Sequence, residues 1–224
     1  MPTHIFNRVY FQTRTEDEAD DVIKRLSGRD VSGEMRPLTF HRFVPMPPQI
    51  AAALETPELM TGWWYLTGKP YTSILPQPVT DRLMQSLGRQ RPWKATEEEL
   101  FEARRALENE KVFGSPTRYV WAIRNWGVDR DCWDVVVHRL WETELVLSFR
   151  AASEVPVPVA RAMKSVFGEK LVSWLWSNEF SYETTPIYEM MSKRYEILDD
   201  ILRHREWTEL DIEKGIPPET KEDQ

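Results

Sequence analysis

A change of hydrophobic period within the first thirty residues constrains this chain more than any other feature. Ile5, Asn7, Val9 and Phe11 alternate with Phe6, Arg8, Tyr10 and Gln12, and a period of two belongs to a strand. The period then lengthens. Thr15 and Glu18 form a capping box with Asp17 and Asp20 nearby, and Ala19, Val22, Ile23 and Leu26 make a helical stripe that Gly28 stops. A second strand is expected from Met35 to Val44, ended by Pro45, Pro47 and Pro48, because proline cannot donate to a sheet ladder. The first 45 residues therefore read β-α-β.

The following stretch has a different character. Pro48 to Leu54 starts a short helix, and Leu59 to Leu66 carries Trp63, Trp64 and Tyr65 in a row. Gly68, Pro70, Pro76 and Pro78 punctuate the next dozen positions, Val79 to Leu87 is a short amphipathic helix, and Thr96 with Glu99 opens another helix bearing Leu100, Ala103 and Leu107. Residues 46–116 thus read as a helical insertion between parts of a sheet, or alternatively as a small separate domain.

Sheet character then returns. Tyr119 to Ile123 is a short aromatic run expected to be a strand. Val135–Val137 and Leu145–Phe149 are expected to pair as a hairpin across Arg139–Glu144. Pro156 and Pro158 open a helix with Val159, Ala162, Met163 and Val166 buried, and Gly168 ends it. Leu171 to Trp176 alternates as a last strand, and Ile187 to Arg205 repeats Tyr188, Met191, Tyr195, Leu198 and Leu202 at helical steps. The order β-α-β, insertion, β-β-α-β plus a C-terminal helix predicts an α+β chain with a ferredoxin-like antiparallel sheet. Residues 1–205 are expected to form one domain, followed by an acidic tail over 206–224.

Charge narrows the partners. The chain carries −7, but residues 206–224 hold seven acidic and two basic residues, which leaves a body of net −2. A near-neutral body lacks the basic footprint of a duplex binder. Ten tryptophans in 224 residues argue against wholesale disorder. No apolar run reaches the roughly 18 residues that cross a bilayer. Cys132 is the only cysteine, and Met1 to Phe11 has no signal-peptide pattern, so the expectation is a cytoplasmic protein without disulfides.

Catalytic patterns are sparse. His4, His41, His138 and His204 have no zinc spacing. Cys132 and His138 lie six residues apart, about 20 Å along a strand, too far for a local nucleophile–base pair. No phosphate-loop or dinucleotide glycine pattern is present. No cofactor, metal or catalytic residue is therefore assigned, and the chain is expected not to be an enzyme.

Two segments stand out as binding candidates. Trp63, Trp64 and Tyr65 cannot all face one side of a helix or a strand, so at least one ring points away from its own element's core. It either packs on the sheet or joins a contact patch, for which Trp and Tyr are favoured anchors. Asn125-Trp126-Gly127-Val128-Asp129-Arg130-Asp131 reads in two ways. One is a binding loop, Arg130 included, with an indole to stack on a ligand and the Asn125 amide and the Asp129 and Asp131 carboxylates to orient it. The other is a turn in which Asn125 bonds the backbone and Trp126 packs inward. Tyr10, Phe40, Trp174 and Trp176 are candidate rings for single-stranded RNA on a ferredoxin-like sheet.

Several segments together resemble one family. Met1-Pro2-Thr3-His4-Ile5-Phe6-Asn7-Arg8 is similar to its opening strand, and Leu38 through Pro47 to its strand ending in Pro-Met-Pro. The most specific are Ile123-Arg124-Asn125-Trp126-Gly127, Trp133-Asp134, Leu147-Ser148-Phe149 and Pro156-Val157-Pro158-Val159. These resemble the YubB-like proteins of plasmids and phages, over roughly residues 1–50 and 119–180. Val128-Asp129-Arg130 stands where that family has Thr-Lys-Trp, and Arg150 to Val155 replaces most of its Thr-Ala-Trp-Ser-Pro-Pro. The resemblance implies a mobile-element protein and no established reaction. The expectation is a non-enzymatic interaction protein that binds a host or element-encoded protein, with inhibition of a host defence as its setting. A single-stranded RNA- or DNA-binding module is the alternative.

Overall fold

The computed structural model describes residues 4–71, 94–152 and 154–178. The expected helices at 79–87 and 187–205 and the acidic tail at 206–224 lie outside the described residues. The chain packs as two compact units, one built from Met1–Val44 and Arg130–Gln224, the other from Pro45–Asp129.

The first unit is α+β. Its strands are β1 (His4–Gln12), β4 (Trp133–Trp141), β5 (Glu144–Ala152) and β6 (Leu171–Asn178), joined in the order β4-β5-β1-β6 with every neighbour antiparallel. A two-stranded ribbon of β2 (Gly28–Arg29) and β3 (Met35–Arg36) stands apart. Helix α1 (Glu16–Leu26) follows β1, a short helix α2 (Phe40–Phe43) follows the ribbon, and α7 (Val157–Phe167) joins β5 to β6.

One face of the sheet is the core. Ile5, Asn7, Val9 and Phe11 are buried on β1, and their register partners Ala151, Phe149, Leu147 and Leu145 are buried on β5. The helices cover this face. Phe11 meets Phe167 of α7 edge-on with centroids 5.2 Å apart, and Phe40 of α2 meets Phe149 at 5.8 Å. Arg139 of β4 reaches Glu16 and Asp20 of α1. Ala19, Val22 and Leu26 of α1 are fully buried, as the sequence stripe requires.

Two strand expectations are corrected. Only Met35–Arg36 of the expected strand 35–44 is extended. Phe40–Phe43 is a helical turn, because Thr39 accepts the His41 N–H and Asp131 accepts the Phe40 N–H at 2.7 Å. The expected strand at Tyr119–Ile123 lies inside helix α6 (Arg118–Trp126). Thr117 caps its start, and Gly127 ends it in the left-handed region at φ 81°. A short aromatic and β-branched run fits either element by pattern, and the caps at both ends decide for helix.

The second unit is helical. It holds α3 (Pro48–Ala51), α4 (Pro57–Thr67), α5 (Glu97–Phe113) and α6 among the described residues. Thr96 and Glu99 form the capping box of α5 in full. Helices α4 and α5 approach closely at Gly62, where an added Cβ would lie 1.9 Å from the Glu99 carbonyl oxygen. The unit extends to Asp129, beyond the expected end at 116, because α6 belongs to it.

Candidate functional site

The aromatic run in α4 is mostly packing. Trp64 is only 8% exposed. Trp63 packs against Leu59, Met60 and Ala106, with its ring edge-on to Tyr71 at 5.1 Å. Tyr65 is half-buried. The three rings spread around the helix, as three consecutive residues must, and the two indoles turn into their own unit.

The 125–131 segment follows its structural reading at most positions. Asn125 donates from Nδ2 to the Trp121 carbonyl at 2.9 Å, one helical turn back. Trp126 is fully buried and edge-on to Trp121 at 5.6 Å. A ring with no exposed surface stacks on no ligand, so the expectation of an indole presented at 126 is corrected. Asp131 serves α2. Its carboxylate accepts from the Thr39 hydroxyl at 2.5 Å, the Phe40 N–H at 2.7 Å and the Cys132 N–H at 2.9 Å. Asp129 is half-buried, and Arg130 is exposed at the end of the segment.

The titratable groups in the interior also have structural partners. Cys132 is buried beside Leu38, and burial together with the neighbouring Asp131 carboxylate pushes its thiol well up. A thiol held protonated is a poor nucleophile. In the helical unit, burial raises the Glu55 carboxyl, which accepts the Tyr119 N–H at 3.3 Å near the start of α6. Tyr71 bonds the Thr117 hydroxyl at 3.1 Å, and its phenol is pushed up mainly by burial. Both side chains stand at the N-terminus of α6, where Glu55 satisfies one of the orphan donors of that helix.

The strand register exposes a different constellation. Residues directly opposite one another share a face, so the pairing assigns every strand residue to one side of the sheet. On β1 the second face carries His4, Phe6, Arg8 and Tyr10, and on β5 Val146, Ser148 and Arg150. β4 adds Trp133, Val136, His138 and Trp141, opposite Arg150, Ser148, Val146 and Glu144. β6 adds Ser173 and Leu175, opposite Tyr10 and Arg8. α1, α2 and α7 all pack on the other side.

This second face, open in that α1, α2 and α7 pack on the other side, is dense in rings and cations, although Val146 within it is buried. The Arg150 guanidinium lies over the Phe6 ring at 4.4 Å. His4 and Trp133 meet edge-on at 5.1 Å. Tyr10 donates to Gln12 at 2.9 Å. Trp141 is 65% exposed, far more than the other described tryptophans that pack inward. The charge of the unit is also divided. Glu16, Asp17, Glu18, Asp20 and Asp21 all stand on α1, behind the sheet. The open face carries Arg8 and Arg150, with Glu144 at the hairpin end and Asp134, which pairs with Arg150 at 3.2 Å.

Comparison with family models, with curated proteins and with solved structures gives no match to this chain. Among the described residues no group of three or more His, Cys, Asp or Glu side chains is placed to hold a metal ion. No described helix is long and apolar enough to cross a membrane.

Of the rings marked from sequence, Tyr10 stands on the open face. Phe40 and Trp174 are buried on the covered side, and Trp176 pairs with Asn7 on that same side. Sequence reasoning misses Phe6, Trp133 and Trp141. Parity along β1 gives Phe6 with Tyr10, but Trp133 and Trp141 need the β4–β5 register, which breaks twice.

Proposed function

We propose that this chain is a non-enzymatic binding protein whose contact surface is the open face of its sheet, and that this face takes single-stranded RNA or DNA. The sheet is read as ferredoxin-like. Its order β4-β5-β1-β6, with α1 after β1 and α7 between β5 and β6, supports that reading.

The observation that carries the proposal is the placement of Phe6 and Tyr10 on the central strand β1, on the face opposite the helices and interleaved with Arg8 and Arg150. Bases stack on rings whatever their sequence, and arginine adds both stacking and a phosphate contact. The acids of α1 lie on the other side of the sheet, while on this face Arg8 and Arg150 are matched by Asp134 and Glu144, so the rings support the reading more than the charge does.

A second reading has its own observation. Trp141 and Val136, at 65% and 48% exposure, are large apolar side chains on an edge strand, and Trp, Tyr and Arg are also the anchors of protein interfaces. This is the protein-partner reading, with a host or element-encoded protein bound at the same face. The resemblance to YubB-like proteins supplies its mobile-element setting and its link to host defence.

Fluorescence anisotropy with labelled oligo-uridine and oligo-thymidine separates the two. The expected result is binding at low salt that weakens steeply as salt rises, and that Tyr10→Ala and Phe6→Ala each reduce. No binding of either oligonucleotide at low salt overturns the nucleic-acid reading and leaves the face to a protein.

A further inference from the structure

Asp134 holds a strained backbone at the edge of the sheet. Glycines apart, it alone among the described residues has a positive φ, at 50°. An L side chain is crowded in that region, whereas glycine enters it freely. The strain falls in a bulge. Trp133 pairs with Arg150 and Val136 with Ser148, so Asp134 and Val135 together stand against the single residue Phe149. A bulge re-aims the side chain that it carries.

The Asp134 side chain is aimed at Arg150. Its Oδ2 lies 3.2 Å from the Arg150 Nε, and the Arg150 guanidinium lies over the Phe6 ring at 4.4 Å. Regular alternation after Trp133 would send residue 134 to the covered side. The bulge brings its carboxylate to the open face instead. Stability does not account for this. The Asp134 side chain is 62% exposed and that of Arg150 27%, and an ion pair so open to water contributes little. A strained residue kept for so weak a pair points to a task other than folding.

We infer that Asp134 is a positioning residue of the open face, holding the Arg150 guanidinium across the Phe6 ring so that a base stacks on the guanidinium with the ring behind it. The base comes from the nucleic-acid reading above, on which this part rests. Trp133, Arg150 and Phe6 form one row across β4, β5 and β1, and guanidinium planes take unstacked bases as aromatic rings do. A side chain already held in place loses less freedom on binding. Charge alone argues for the opposite effect. Asp134 sets a negative charge beside a site for a polyanion, so electrostatics by itself would have its removal tighten binding.

The test compares Asp134→Gly and Asp134→Asn in the full chain. Glycine removes the carboxylate and accepts φ 50° without strain. Asparagine tolerates the same backbone and keeps an oxygen that accepts from Arg150. In the free protein, NMR reads the upfield ring-current shift of the Arg150 side-chain protons, assigned through its loss in Phe6→Leu. Anisotropy with labelled oligo-uridine reads affinity. Asp134→Gly is expected to lose the shift while its urea midpoint is no lower than that of the unaltered protein. Its affinity is expected to fall by about 5-fold or more, the lower end of what a lost base stack costs. Asp134→Asn is expected to keep most of both. An Arg150 shift that survives in Asp134→Gly overturns the inference, and so does an affinity that is unchanged or tighter. If the unaltered protein binds no oligonucleotide, the nucleic-acid reading fails, and the Arg150 shift still decides whether Asp134 positions the guanidinium.

Discussion

Trp174 on β6 donates its indole N–H to the amide oxygen of Asn7 on β1 across 3.0 Å, with both side chains buried in the covered face of the sheet. Asn7 spends its other end on the Ile5 carbonyl at 3.1 Å. A buried amide is retained at little cost only while its partners are present. Asn7→Ala orphans the indole N–H, and Trp174→Phe orphans the amide oxygen. Each is expected to destabilise the protein by about 1–3 kcal/mol from the lost partner alone, with a packing loss added. Urea unfolding followed by fluorescence reads this. A double variant, Asn7→Leu with Trp174→Phe, is expected to lose less than the sum of the single changes, because neither orphan remains.

Gly62 fixes the separation of α4 and α5. An alanine there would bring its Cβ to 1.9 Å from the Glu99 carbonyl oxygen and 2.9 Å from the Ala103 Cβ. Backbone cannot yield as a flexible side chain can, so the helices must move apart. Gly62→Ala is expected to cost about 3 kcal/mol by overpacking, against the small gain alanine brings to an open helix position. A midpoint in urea equal to or above that of the unaltered protein refutes the close approach.

The parts of the fold legible in the sequence are those where one signal acts alone. Thr15, Thr96 and Gly168 sit where local chemistry marks a boundary, and the helices at α1, α5 and α7 follow from them, although α1 ends at an extended Ser27 and Gly28 opens β2. Phe40–Phe43 and Arg118–Trp126 read as strands in sequence because aromatic and β-branched runs satisfy either period when short. The deciding partners come from far along the chain, as with Asp131 bonding Phe40, or from a cap one residue outside the run, as with Thr117. The site is legible by half. Alternation gives the two faces of β1, but which face the helices take is a property of the packed sheet. Trp174, a candidate ring in the sequence, therefore lies buried on the covered face, while the unmarked Phe6 lies on the other.

Two carboxyls should move stability with pH in opposite directions. Burial raises Glu55, only partly countered by hydrogen bonds from the Thr117 side chain and the Tyr119 N–H. The folded state thus holds its proton more tightly than the unfolded chain, whose glutamate value is about 4.3. Its contribution is fully present below that value and is lost as pH rises through the folded value. Asp30 is also pushed up by burial, but the Ser32 side chain and N–H, the Glu34 N–H and Arg36 outweigh it and leave the carboxyl lowered. Its contribution is present above the unfolded aspartate value of about 3.9 and is lost as pH falls through the folded value. Unfolding at a series of pH values is therefore expected to show Glu55→Gln gaining on the unaltered protein as pH rises from about 4 towards neutrality. Asp30→Asn is expected to be weaker at neutral pH, with the gap closing in acid. The same pH trend for both variants would contradict these environments.

Ring substitutions should separate a binding face from a packed core. Tyr10 and Trp141 stand on the open face, and Trp141 is 65% exposed, whereas Trp63 and Trp64 pack within the helical unit. Removing a ring that stacks on a base costs about 1–3 kcal/mol of binding, which is roughly a 5- to 150-fold loss of affinity. Tyr10→Ala and Trp141→Ala are therefore expected to lose oligonucleotide affinity in that range while their urea midpoints stay close to that of the unaltered protein. Trp64→Ala should behave in the opposite way. Truncating a buried indole leaves a cavity and costs about 3–5 kcal/mol of stability, with affinity unchanged in the fraction that remains folded. If Trp64→Ala were to abolish binding in a protein of undiminished stability, the contact surface would lie on α4 and not on the sheet.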